Sequence, residues 1–291
     1  MELLLKNTKY ENFAGCVYPL ELKNYTYRDL FRAGNDSDGF FALKIRESGR
    51  KDITDSIDIL KKISDPGNFI NKHIDVFEKD GYIIMISGWI SGFQPIDHNR
   101  NYLPLFFSEL ANFNKRNKGK APFTSMYAGG NYFNTADELI DYEVNCHLKS
   151  IRDIYETKII KECLEELKRG IACIILEDMN TGNLIISNDG KLKFIDTEWI
   201  INGLNLYQFE KIDYFGFEER KWYNINDESR ECYTAYFETM GVPFGDANEQ
   251  IRAFELLQAL RQNTVYKTSG EANDDEIKKR INTVLGHEKF I

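Results

Sequence analysis

The sequence contains no apolar run near the ~20 residues that a bilayer-spanning helix requires, so no membrane association is expected. Its opening, Met1-Glu2-Leu3-Leu4-Leu5-Lys6, lacks the basic start and long apolar core of a secretory signal, and a cytoplasmic protein is the expectation. Cysteines are few: Cys16, Cys146, Cys163, Cys173 and Cys232 are scattered, odd in number and free of any Cys-x-x-Cys pair. That argues against a disulfide framework or a zinc site and for reduced, packed thiols. The four histidines (His73, His98, His147, His287) have no partners at metal-ligand spacing, and no Gly-x-Ser-x-Gly elbow offers a hydrolase nucleophile. Positive charge is also in the minority, with 37 Lys and Arg against 46 Asp and Glu, a net charge of −9. Nucleic-acid binding needs a basic face, so no such partner is expected, whereas a cationic ligand would suit the balance.

What is present is a globular composition, 42% hydrophobic and 13% aromatic over 291 residues, enough for one large domain or two lobes. The first third is strand-rich. Val17–Leu22, Tyr25–Phe31 and Gly39–Ile45 are apolar or aromatic runs, the last two joined by the turn-forming stretch 34–39. Ile53, Ile57, Leu60 and Ile63 recur at helical spacing over Asp52–Ser64, before the stop Asp65-Pro66-Gly67. Phe69–Phe77 and Tyr82–Ile86 read as two further strands around Glu78-Lys79-Asp80-Gly81. Pro95 and the polar run 97–101 mark a linker, which puts a boundary near Gly92 and divides the chain into 1–91 and 92–291. Helical periodicity then dominates, over Leu103–Asn114, Ala136–Ser150, Ile154–Arg169, Asp227–Met240, Asn248–Gln262 and Asp274–Leu285. The Gly-, Thr- and Asn-rich stretch 121–135 is either a lid or a connector.

The chemistry concentrates between Ile174 and Trp199. Three apolar runs, Ile174–Leu176, Leu184–Ile186 and Leu192–Ile195, are separated by the polar insert 177–183 and by the hairpin signal Asn188-Asp189-Gly190. Such strands place Asp178, Asn183 and Asp196 at one end of a small sheet. Phosphoryl transfer from a metal nucleotide uses that set: an Asp to orient the attacking hydroxyl, and an Asn and a second Asp to hold magnesium. Asp178-x-x-x-x-Asn183 has the spacing of a kinase catalytic loop, and an acid following an apolar strand is its metal-binding partner. The plainer alternative is an acidic turn and a hairpin on a solvated surface. Lys44, set among apolar neighbours in Phe40–Ile45, is either a strand lysine reaching solvent or the lysine that neutralises nucleotide phosphates.

At Thr181-Gly182-Asn183 and Ile195-Asp196-Thr197-Glu198 the chain resembles the kinase-like superfamily, in particular its aminoglycoside and choline phosphotransferase branch. The resemblance departs at two places: Leu176 stands where the family's loop has His, and Glu177 where it has a small residue. It implies an α+β, two-lobed protein-kinase-like fold, with a β-rich N-lobe carrying one helix and a mostly helical C-lobe. It implies Asp178 as the catalytic residue, Asn183 and Asp196 as ligands of Mg2+, and ATP or GTP as phosphoryl donor. Lys44 would meet the phosphates, and Asp58 would take the place of the helix Glu that pairs with this lysine. Gly88, Trp89 and Ile90 would form the hinge for the adenine edge. The phosphate-covering loop would fall at Leu22-Lys23-Asn24-Tyr25-Thr26, which contains no glycine.

The absence of an Ala-Pro-Glu segment and of Phe-Gly after Asp196 turns the expectation toward a small-molecule acceptor hydroxyl. Glu198, Glu210, Asp213, Glu218, Glu219, Asp227 and Glu231 follow the metal-binding acid and would favour a cationic acceptor, such as an aminoglycoside or another amino-alcohol. A protein or envelope-sugar kinase, and a catalytically impaired kinase-like binding module, are the alternatives.

Overall fold

The alternating runs of the first third form a five-stranded antiparallel sheet in the computed structural model of the protein. The structure describes residues 2–22, 25–35, 39–65, 67, 69–94, 102–153, 155–177, 179, 181–209, 227–270 and 274–286. After a short helix α1 (Glu2–Leu5) come β1 (Val17–Leu22), β2 (Tyr25–Asn35), β3 (Gly39–Glu47), β4 (His73–Lys79) and β5 (Tyr82–Gly88), in the spatial order β1-β2-β3-β5-β4. Helix α2 (Lys51–Leu60) crosses between β3 and β4. Strand β5 is covered on both faces, which explains its unbroken apolar run. Ile83 and Met85 pack with Ile53 and Ile57 of α2, while Ile84 and Ile86 pack with Leu5, Tyr10 and Leu43 on the opposite face. The two-residue period of a strand sends alternate side chains to the two layers.

Beyond β6 (Gly92–Phe93) the chain is mainly helical: α3 (Leu103–Arg116), α4 (Ala136–Leu148), α5 (Thr157–Leu164), α6 (Asp227–Met240), α7 (Phe244–Ser269) and α8 (Asp274–Gly286). Between α5 and α6 lie β7 (Ala172–Leu176), β8 (Leu184–Ser187), β9 (Leu192–Phe194) and β10 (Ile200–Leu204). β8 and β9 form the expected hairpin, with β6 added on the β8 edge, and β7 pairs antiparallel with β10. α7 is the axis of the helical lobe: its segment 253–261 is buried on nearly every side. Arg261 lies inside this core, ion-paired with Glu143 of α4 and stacked over Tyr127 and Tyr207 at 4.2 and 4.5 Å.

Among the departures from the sequence reading, one strand boundary and one additional strand have plain physical reasons. The strand expected from Phe69 begins only at His73. Phe69 is drawn instead into the helical lobe, with ring centroids 5.6 Å from Phe106 and 6.2 Å from Phe113 of α3. There its carbonyl accepts from Phe194 N at 2.8 Å, and Asn71 N donates to Phe194 O at 2.8 Å. β10 has no counterpart in the sequence reading, because Ile-Ile-Asn-Gly-Leu carries no alternating pattern. It forms because β7, buried at every residue from Cys173 to Leu176, requires a backbone partner.

Candidate active site

The β8–β9 hairpin brings two of the expected groups to one end. Asn183 immediately precedes β8 and Asp196 follows β9, and the ladder is extended between them by Ile195 N donating to Asn183 O at 2.9 Å. The loop carrying Asn183 is braced from β6 by Gln94 Nε2, which donates to Gly182 O at 2.8 Å. Asp178 lies outside the described residues. Its neighbours are fixed: Glu177 N donates to Trp199 O at 2.8 Å, Glu177 Oε1 accepts from Met126 N at 2.8 Å, and Met179 is fully buried. Leu176, where the resemblance would put a His, is buried in the core opposite Ile200.

Lys44 sits mid-strand in β3, flanked by Leu30 of β2 and Met85 of β5. Its ammonium crosses to the second lobe, 3.0 and 3.1 Å from the two oxygens of Asp196 and 2.8 Å from Glu198 Oε1. Arg46, two residues on and therefore on the same strand face, donates to Glu198 Oε2 from Nε and lies 3.0 Å from it through Nη2. Glu198 is only 4% exposed, so its charge is neutralised inside the protein by two cations. Burial pulls the Lys44 ammonium down, but the charges of Asp196 and Glu198 outweigh it and hold its pKa above the ordinary lysine value.

Asp58 does not take the helix-Glu role. On α2 the buried positions are Ile53, Ser56, Ile57 and Leu60. Asp58 is turned about 100° from Ile57 around the helix, and it pairs with Lys61 at 3.0 Å, both side chains more than half exposed. The carboxylate that pairs with Lys44 alongside Asp196 comes from Glu198. The helix docks on this region through Ser56 Oγ, which donates to Ile200 O at 3.0 Å.

At the expected hinge, Gly88 ends β5 and its carbonyl accepts from Asn71 Nδ2 at 3.1 Å. Trp89 N donates to Phe40 O at 3.2 Å, and the Arg32 guanidinium lies 3.6 Å from the Phe40 ring centroid and 5.1 Å from that of Trp89. Ile90 follows, half-buried. Of the expected phosphate-covering loop, Leu22 ends β1, Tyr25 and Thr26 open β2, and Lys23 and Asn24 lie outside the described residues.

The sequence reading missed Arg46 and His73, and it assigned Glu198 to the acceptor. Arg46 was within reach, since strand alternation puts it beside Lys44. His73 carried no signal, because its neighbours come from β5 and from the far lobe. Its Nδ1 is 2.8 Å from Ser87 Oγ and its Nε2 is 3.5 Å from Thr197 Oγ1. Burial first, and then the charge of Lys44, push the His73 pKa down to about 4 against the opposing pull of Asp196. Of the other acids expected at the acceptor, Glu231 is exposed on α6, and Glu210, Asp213, Glu218 and Glu219 lie outside the described residues, as does the Asp227 side chain. Among the described residues, no group of three or more His, Cys, Asp or Glu is placed to hold a metal.

No protein-family model matches the chain, and no curated protein matches its sequence. Solved structures do match its fold. It is similar to aminoglycoside phosphotransferase APH(4)-Ia, with 15% identity and a TM-score of 0.57 over 96% of this chain and 97% of that one. A thermostable mutant of that enzyme, solved in ternary complex with AMP-PNP and hygromycin B, gives 14% identity and a TM-score of 0.57 over 95% and 96% of the two chains. An ethanolamine kinase from Plasmodium vivax gives 11% identity and a TM-score of 0.56, over 98% of this chain and 85% of that one. At these identities the likeness is one of fold. The chain shares the two-lobed, kinase-like fold of these structures, with a strand-rich first lobe and a mainly helical second one.

Proposed function

We propose that the protein is a phosphotransferase that moves the terminal phosphate of a nucleoside triphosphate, ATP or GTP, to a hydroxyl of a small molecule. The observation that carries this reading is the ion pair from Lys44 of the sheet lobe to Asp196 of the helical lobe, at 3.0 Å, across a kinase-like fold. A lysine and an acid in these positions serve phosphate chemistry, the lysine by neutralising phosphate oxygens.

Magnesium fits the donor set. Asn183 and Asp196 offer oxygen at the same hairpin end, and a hard cation that keeps several waters needs few protein ligands. When bound, magnesium would supply charge neutralisation at the phosphates. Lys44, held by Asp196 and by the Glu198–Arg46 pair, provides the fixed positive charge. Asp178 orients the acceptor hydroxyl and accepts its proton. Positioning and charge stabilisation contribute most of the acceleration in such sites, so an ordinary carboxylate suffices. At the hinge, Gly88 O and Trp89 N already have partners within the protein, and the remaining backbone groups of Trp89 and Ile90 would meet the adenine edge. The acceptor we favour is a small cationic molecule, an aminoglycoside or other amino-alcohol, in keeping with the net charge of −9.

A catalytically impaired binding module is the second reading, favoured by one observation: the position of the loop His is a buried core leucine, Leu176. Nucleotide turnover in magnesium, with a panel of amino-alcohol, aminoglycoside and sugar acceptors, separates the two. Acceptor-dependent turnover that disappears in Asp178→Ala and in Asp196→Ala is the expected result. Nucleotide binding with no turnover for any acceptor would favour the module, and wild-type turnover in Asp196→Ala would refute the site.

A further inference from the structure

A cavity of about 740 Å3 lies beside the cleft, walled by α2 on one side and by the 116–132 segment on the other. Neither Lys44, Asn183, Asp196 nor Glu198 lines it. Its volume is in the range of small-molecule sites. Ile59, Ile174, Trp199 and Ile201 give it apolar surface. Four carboxylates also line it, and each is engaged. Asp52 pairs with Arg50, Asp55 accepts from Tyr132 Oη at 2.9 Å, Asp58 pairs with Lys61, and Glu177 accepts from Met126 N.

The cations have no comparable partners. Lys62, Arg116, Lys118 and Lys120 line the cavity, and none of their side chains has a hydrogen-bond or ionic partner among the described residues. Positions at helix C-termini would account for Lys62 and Arg116, through the helix dipole, but not for Lys118 and Lys120. These two lie on extended backbone held flush against β7. Gly119 N donates to Ala172 O at 3.1 Å, Ile174 N donates to Asn117 O at 2.9 Å, and a Cβ at Gly119 would come 2.9 Å from Cys173 N. On extended backbone Lys118 and Lys120 share a side. Asn117 ties this strip to the end of α2, its Oδ1 accepting from Ser64 N at 2.7 Å and its Nδ2 donating to Ser64 O at 2.9 Å. Asp52 and Asp58 are paired with cations outside the lining, whereas Asp55 and Glu177 meet only neutral donors. The four cations therefore leave an excess of two positive charges around this largely apolar cavity, on a protein of net charge −9.

We propose that this cavity binds a small amphipathic anion, an aromatic or aliphatic body bearing a phosphate or sulfonate group. The body packs on Ile59, Ile174, Trp199 and Ile201, and the anionic head sits among the four cations. This site is separate from the phosphotransferase reading and stands or falls without it. Anilinonaphthalene sulfonate is a probe of this class, and its fluorescence on titration into the intact protein reads the site. Saturable binding is expected, weakening as salt rises, with Lys118→Glu/Lys120→Glu raising the dissociation constant by about tenfold or more. Lys118→Gln/Lys120→Gln should give a smaller rise, and Lys44→Ala should bind as the wild type does. Both lysines are exposed, and far-UV circular dichroism checks that the variants fold. Wild-type affinity in the Glu double variant, loss of binding in Lys44→Ala, or no saturable binding to the wild type would each overturn the proposal.

Discussion

Glu198 brings two cations onto one buried carboxylate, and its substitution separates two ways of holding Lys44. Glu198→Gln removes the carboxylate charge that Lys44 and Arg46 share, while the Lys44–Asp196 pair remains. A charge-assisted hydrogen bond contributes about 1.5–3 kcal/mol, so urea denaturation should show a loss of that order. Acceptor-dependent turnover should fall roughly ten- to a hundredfold, because Lys44 is no longer held from two sides. Asp58→Asn is the contrast: its exposed pair with Lys61 is worth at most about 1 kcal/mol, and turnover should not change. Equal effects of the two substitutions would sink the assignment of Glu198. His73 gives a pH test at the same scale. Its folded pKa of about 4 lies below the ordinary value of 6.5, so the unfolded chain binds the proton more tightly. The stability it contributes is complete above about pH 6.5 and is lost as pH falls toward 4. His147 is likewise pushed down to about 4, by burial and then by Arg261, and adds to the same decline. His73→Gln should therefore flatten the fall of the urea midpoint between those pH values without abolishing it. A decline as steep as that of the wild type would count against the buried neutral histidine.

Among the elements, the helical lobe depends on α4 and α7 meeting through Glu143 and Arg261. Arg261→Met leaves a fully buried carboxylate facing Ser125, and removing one member of such a pair costs about 3–5 kcal/mol. Arg261→Met with Glu143→Leu removes both charges and should recover most of that loss by the same measurement. A double variant no more stable than the single one would mean that the pair is not the cause. The legibility of these elements followed the simplicity of their surroundings. α2, with one face on the sheet, shows its period plainly at Ile53, Ile57 and Leu60. α7 is nearly encircled, so burial erases its period, and Asn248–Gln262 was only the middle of a helix running from Phe244 to Ser269. The β8–β9 hairpin was readable from Asn188-Asp189-Gly190, and with it the joint position of Asn183 and Asp196. The partner of Lys44 was not readable. A strand lysine and an acid 154 residues later share no sequence period, and Glu198 stands beside Lys44 through tertiary contacts that no local pattern encodes.

Across the whole molecule, the excess of acid over base acts on anything that approaches the cleft. At net charge −9 the summed field draws in cations and slows anions, and its reach is set by salt. The Debye length is about 10 Å at 0.1 M ionic strength and shorter above it. Glu198 contributes little to such a field, because Lys44 and Arg46 neutralise it. The attraction for a cationic acceptor must come from acids still open to solvent, Glu231 on α6 among them. An aminoglycoside carries several positive charges, so its KM should rise several-fold between about 50 and 300 mM salt, while kcat changes little once the site is saturated. A neutral sugar offered to the same enzyme should show no comparable rise, which controls for salt acting on the nucleotide. A salt-independent KM for the cationic acceptor would remove the amino-alcohol assignment and leave phosphoryl transfer standing. A rise of equal size for both acceptors would place the salt effect on the nucleotide phosphates at Lys44 instead.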